Sequence, residues 1–202
     1  MKTSNRRVKG FTLIEMIVVI AIIGALLGVF APAMSNYYWK SRVKAANAEA
    51  KMIYNAAQTE VQKYIAFDRA NPSAPSSLSG YVMISYTPGS APSVQAGNPL
   101  SSDLSSYAST SLSSAASSIV TSVNNTVSDA ETKCWAVYIN NYIVKSCISA
   151  DQTTTPYVGY YSTGKITLPA ERPTTPYSSW LSATSGSESL VGIASSRYDA
   201  AP

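Results

Sequence analysis

Hydrophobic and polar positions change their rhythm three times along this chain. Residues 16–39 carry no charge over 24 consecutive positions; as a helix that run rises roughly 36 Å, enough to cross the hydrocarbon layer of a bilayer. From 40 to 69 the residues Val43, Ala46, Ala50, Ile53, Ala57, Val61 and Tyr64 recur at steps of three or four. That is the period of an amphipathic helix with one side against a partner. Lys40, Lys44, Lys51 and Lys63 fall off or beside the stripe, as a solvated face requires. A helix continuous from 11 to 69 would be a rod of roughly 88 Å, most of which its own domain cannot bury. Asn71-Pro72 ends it, because proline disfavours helical geometry in the residue before it.

Beyond residue 71 the pattern shortens to that of a small sheet. Residues 80–86 (G-Y-V-M-I-S-Y) read as a strand that stops at Pro88-Gly89. Leu104, Tyr107, Leu112, Ala115, Ile119 and Val123 then come at near-helical spacing, which predicts a second helix over about 102–122. A surface loop is the alternative there, since serine is a mediocre helix former. In 134–147, two β-rich runs flank Asn140-Asn141, and Asn tolerates the positive φ of a two-residue hairpin turn. With that turn, Ile139 opposes Tyr142, Val137 opposes Val144, and Cys134 falls opposite Cys147. Such a non-hydrogen-bonded pair has a Cα separation of about 4.5 Å, within disulfide range; two free thiols are the other reading. Trp135, Val137, Ile139 and Val144 share one face and are expected to pack on the long helix. Residues 157–161 and 166–168 add further strands, with 162–164 as a turn. Past Pro173 apolar residues are sparse, so roughly the last 20 positions are expected to be mobile or held by neighbouring subunits.

Charge alters this picture at one end only. The chain has 15 Lys and Arg against 11 Asp and Glu, but Lys2, Arg6, Arg7 and Lys9 lie in its first ten positions. Without them the balance is even, and no basic stripe for nucleic acid remains on the folded part. There is no histidine, which excludes imidazole metal sites and Ser-His or Cys-His catalytic pairs. Two cysteines cannot make an all-cysteine zinc site, and no nucleophile motif is present. Neither an enzyme nor a cofactor or metal protein is expected.

Glu15 stands out, five residues into an apolar sequence that starts at Phe11. A carboxylate there costs about 2.5 to 3.5 kcal/mol on insertion scales, and such residues are functional candidates by default. Snorkelling to the headgroups is the plainer reading, because Glu15 is near the end of the span. The apolar run is retained and not a secretory signal: its far side continues into Ser41, Arg42, Val43 and Lys44 with helical periodicity.

The residues Lys9-Gly10-Phe11-Thr12-Leu13-Ile14-Glu15, behind a short basic leader and ahead of a long apolar run, resemble the cleavage and methylation signature of type IV prepilins and pseudopilins. The resemblance implies cleavage between Gly10 and Phe11 by a prepilin peptidase, followed by N-methylation of Phe11. It further implies that Glu15 sets the axial register of a filament by neutralising the amine of a neighbouring copy. Gly24, Gly28 and Pro32 recur every four residues on one helical face. They read either as a G-x-x-x-G packing face or, by the resemblance, as a segment that unwinds on assembly and lets the filament stretch; the two are compatible.

The expected fold is therefore α+β, pilin-like: a long N-terminal helix, transmembrane half plus amphipathic half, packed against a small antiparallel β-sheet head. Its parts are a leader at 1–10, a membrane and filament-core helix at 11–39, a stem at 40–70 and a head at 71–202. The expected role is structural subunit of an extracellular type IV pilus, a homo-oligomeric filament built from the inner membrane with the pilus assembly machinery and minor pilins. A pseudopilin of a type II secretion or DNA-uptake machine is the alternative. The tryptophans Trp135 and Trp180 raise a surface-glycan role for the head, although aromatics also fill small cores and subunit interfaces.

Overall fold

A computed structural model describes residues 10–73, 76, 78–96, 110–162, 168–169 and 172–181. It is α+β, as expected: a long N-terminal apolar helix is followed by a five-stranded antiparallel sheet. Helix α1 runs Leu13–Ala70. It stops where Asn71 closes it, the Asn71 N–H and side-chain amide both donating to the Phe67 carbonyl at 2.9 Å, with Pro72 just beyond. The chain divides into two compact units, Met1–Trp39 and Lys40–Pro202.

In the second unit the sheet order is β2-β1-β3-β4-β5, from β1 (Tyr81–Tyr86), β2 (Ser93–Ala96), β3 (Cys134–Asn140), β4 (Ile143–Ala150) and β5 (Gly159–Ser162). Helix α2 (Thr110–Thr126) precedes β3. Residues 102–109 of the predicted helix, with Leu104 and Tyr107, lie outside the described residues, while Leu112, Ala115, Ile119 and Val123 are buried along one side of α2. The strand β2 has no counterpart in the sequence reading. Of the strands expected after the hairpin, β5 covers the first, whereas the turn at 163–164 and residues 166–167 lie outside the described residues.

Strand β3 is apolar and buried from Cys134 to Ile139 because both faces of the sheet are covered. On one face Trp135, Val137, Ile139 and Val144 join Ala50, Ile53, Ala57 and Val61 of the stem and the apolar side of α2 in a single core, as the alternation predicted. On the other, Cys134, Ala136, Tyr138 and Ile148 meet Tyr160 and Tyr177. Tyr177 comes from the short helix α3 (Tyr177–Trp180), and its side chain is 0% exposed. Backbone bonds from Tyr177 N–H to Thr155 O and from Ser178 N–H to Thr153 O, each 3.2 Å, pin this segment to the loop after β4. No apolar periodicity announces it, since one ring does the covering.

The β3–β4 hairpin departs from the expected register. Its turn is Asn141-Tyr142, with φ of 50° and 62°, the mirror-image geometry that suits a right-twisted two-residue hairpin. Asn140 therefore pairs with Ile143 and Ile139 with Val144, and the register then shifts so that Tyr138 pairs with Ser146. Lys145 is the extra residue of a bulge. Cys134 ends opposite Ala150 and Cys147 opposite Val137, on opposite faces of the sheet. The disulfide drawn from the sequence is accordingly not formed; both thiols are free and buried. Burial pushes both thiols above the ordinary cysteine range, Cys147 well above it.

Contacts from outside the hairpin choose that turn. Asn141 N–H donates to Gly80 O at 3.3 Å and Tyr142 N–H to Leu78 O at 3.2 Å. From the stem, the Gln58 amide donates to Tyr142 O at 3.3 Å and its Oε1 accepts from Val144 N–H at 2.7 Å. Asp68, ten residues on, accepts from the Tyr142 hydroxyl at 2.6 Å and from the Ser76 N–H and hydroxyl at 2.7 Å each. Burial pushes the Asp68 carboxyl upward, but the hydrogen bonds from Tyr142 and Ser76 outweigh it and hold the group below its usual 3.8. A carboxylate with a depressed pKa stabilises the fold above its unfolded value, and that stabilisation is lost as pH falls through the folded value. Asp68→Asn keeps one oxygen acceptor but loses the charge at a partly solvent-exposed site, and is thus expected to cost about 0.5 to 1.5 kcal/mol at neutral pH. The gap to wild type should narrow as pH drops below 3.8, read by denaturant titration at each pH.

Candidate functional site

The described part of the first unit is almost all surface. From Phe11, 78% exposed, to Tyr38, the large apolar side chains described there stand open, and the helix they belong to is long and apolar enough to cross a membrane. Nothing in that stretch makes a catalytic grouping. Its chemistry is concentrated at its N-terminal end.

Gly10, Phe11 and Thr12 precede α1. The Thr12 hydroxyl oxygen accepts from Glu15 N–H at 3.3 Å, while Glu15 Oε2 accepts from Thr12 N–H at 2.7 Å and from the Thr12 hydroxyl at 2.8 Å. This is a reciprocal capping box, which satisfies backbone donors that the first helical turn otherwise leaves unmet. The carboxylate also lies where the helix dipole favours negative charge. Glu15 is therefore held locally, at the first turn, with both bonds made by one oxygen. Thr12 is the residue that sequence reasoning passes over. The pattern Thr12-x-x-Glu15 ahead of an apolar run is its signal, overshadowed by the oddity of a charge in that setting.

Gly24 and Gly28 stand inside α1, and a Cβ added at either would meet no atom within 4 Å. Both leave a shallow, open strip. Pro32, one turn further along the same helix, supplies no N–H to the Gly28 carbonyl. Cys134 and Cys147 lie in the second unit, apart from each other across the sheet.

The head carries its own electrostatic cluster. Lys133 pairs with Glu49 of the stem and lies 3.5 Å from Asp151, which Arg42 reaches at 3.3 Å. Burial alone lowers the Lys133 pKa, yet the hydrogen bond and charge of Glu49, with help from Asp151, raise it on balance. These are clamps between stem and sheet. Asp129 and Glu131 join no such cluster, and among the described residues no group of three or more Cys, Asp and Glu is placed to hold a metal ion. Trp135 is 0% exposed, so no sugar ring reaches it; Trp180 packs against the Tyr160 ring at 6.0 Å between centroids.

Residues 5–31 match the family model described as the prokaryotic N-terminal methylation motif. No curated protein and no solved structure matches the chain. The N-terminal segment is thus a class III leader of the type IV pilin and pseudopilin kind, joined to the helix that such leaders precede. The motif points to a structural subunit, and the apolar helix fits insertion in a membrane.

Proposed function

We propose that this chain is a structural subunit of an extracellular type IV pilus. The precursor waits in the inner membrane with its basic leader on the cytoplasmic side, in keeping with the positive-inside rule. A prepilin peptidase hydrolyses the Gly10–Phe11 bond, and the new amine of Phe11 is N-methylated. The apolar helix then leaves the membrane for the filament core, where only copies of itself or close relatives cover it.

The observation that carries this reading is Glu15, the lone acid of the apolar unit, fixed at the first turn by Thr12. Inside a filament core the Phe11 ammonium of one copy and the Glu15 carboxylate of its neighbour neutralise each other. A copy docked at the wrong height leaves both charges unpaired in a low dielectric, which is strongly unfavourable. Register follows from charge. Gly24, Gly28 and Pro32 give the same helix a weak middle, since glycine costs about 1 kcal/mol and proline about 3 in a helix interior. That supports close packing and local unwinding on assembly.

Two measurements test the proposal. Mass spectrometry of the mature chain is expected to show an N-terminus at Phe11 bearing a methyl group, and purified filaments are expected to contain this chain as a bulk component. A mature chain that still begins at Met1 would remove the basis of the whole scheme. A processed chain found only within a secretion machine would favour the pseudopilin reading.

A further inference from the structure

The uncharged run ends at residue 39, and the next charges are all positive: Lys40, Arg42 and Lys44. No Asp or Glu occurs anywhere in residues 16–48. Arg42 is turned to the head, where it pairs with Asp151. Lys40 and Lys44, one helical turn apart on α1, are exposed. Just before them Tyr37 is 71% and Tyr38 55% exposed, and tyrosine is enriched where a span meets the headgroup layer.

We propose that Lys40 and Lys44 form a binding site for the headgroups of anionic phospholipids on the non-cytoplasmic face of the membrane. The inference rests on the membrane-embedded precursor proposed above and adds a ligand to it. A span of 24 uncharged residues matches the hydrocarbon thickness of a bilayer, so the first residues past it stand at the depth of the phosphates. Lysine suits that place: its four-carbon stem lies along apolar surface while the ammonium reaches the polar layer. Two ammonium groups on one side of a helix, with no carboxylate near them in sequence, attract anionic headgroups over zwitterionic ones. The site fixes how deep the precursor sits, and it must be given up when the helix leaves the bilayer.

The test reconstitutes the full chain in phosphatidylcholine vesicles containing spin-labelled phosphatidylglycerol or phosphatidylcholine and reads the relative association of each label. Wild type is expected to select phosphatidylglycerol at low salt. In Lys40→Gln/Lys44→Gln that selectivity falls, roughly fivefold for each lysine removed, whereas Lys40→Arg/Lys44→Arg keeps it. Equal selectivity in wild type and the glutamine variant overturns the proposal, since the leader's basic residues are common to both. If the glutamine variant keeps its lipid preference but loses chemical cross-linking between copies, the lysines face a second copy and the proposal also fails. A chain that does not float with neutral vesicles at all fails the membrane reading itself, a result distinct from floating without lipid preference.

Discussion

Gly159→Ala will cost the head at least about 3 kcal/mol, beyond the usual range for overpacking. A Cβ at residue 159 would lie 2.0 Å from Ala46 O, 2.1 Å from Ala46 C and 2.7 Å from Asn47 N. Those atoms are stem backbone, unable to swing aside as a side chain would. Strand β5 would have to withdraw from the stem, and with it the bond from Tyr160 N–H to Asn47 Oδ1, now 2.8 Å, would be lost. Unfolding of the full chain in detergent, followed by near-ultraviolet circular dichroism, gives the reading. Gly80→Ala is the control, since a Cβ there meets nothing within 4 Å; it should move the midpoint little. Equal midpoints for the two variants would mean that β5 is not pressed against the stem.

Glu15→Leu will leave the chain inserted and its head folded, yet reduce filament yield roughly a hundredfold or more. The figure follows from stranding the Phe11 ammonium without a partner, a loss of about 3 to 5 kcal/mol for a broken buried pair. Leucine also removes the acceptor for the Thr12 N–H and hydroxyl, so this variant alone does not separate charge from capping. Glu15→Gln does, because glutamine serves in a capping box while carrying no charge. Filaments absent in both variants, with helix content unchanged in Glu15→Gln, would locate the effect in the charge. Normal filament numbers from Glu15→Gln would assign Glu15 to helix capping alone.

The long elements were legible because each is written as a repeated period. The stem stripe Val43, Ala46, Ala50, Ile53, Ala57 and Val61 is buried as its spacing implied, and the face of β3 that meets the stem is the one its alternation indicated. Single-residue choices were not legible. Of the two turns on offer, Asn140-Asn141 and Asn141-Tyr142, local sequence favours the first, because asparagine takes positive φ readily and a bulky residue such as Tyr142 does not. Contacts with Gln58, Asp68, Leu78 and Gly80 override that preference, from more than 60 residues away in the case of Asp68 and Gln58. The cysteine pairing failed through two shifts: the displaced turn takes Cys134 out of line with Cys147, and the bulge at Lys145 then puts the two on opposite faces. Strand β2 is hidden because only Val94 of its four residues is buried, so it shows no alternation. Tyr177 is hidden because a lone ring has no period. At the N-terminus the motif, the leader and the carboxylate were all readable, but the reciprocal role of Thr12 needed geometry.

Asn47, Gln58 and Asp68 each reach from the stem to a different part of the sheet: β5, the hairpin strand and the hairpin turn. They are spaced roughly 16 Å and 15 Å apart along the helix axis, like three rivets in a row. A tug parallel to the stem strains all three together, as shear, whereas a sideways tug peels them off one after another. The head's mechanical toughness is therefore directional, greatest along the line in which a fibre made of such stems would be pulled.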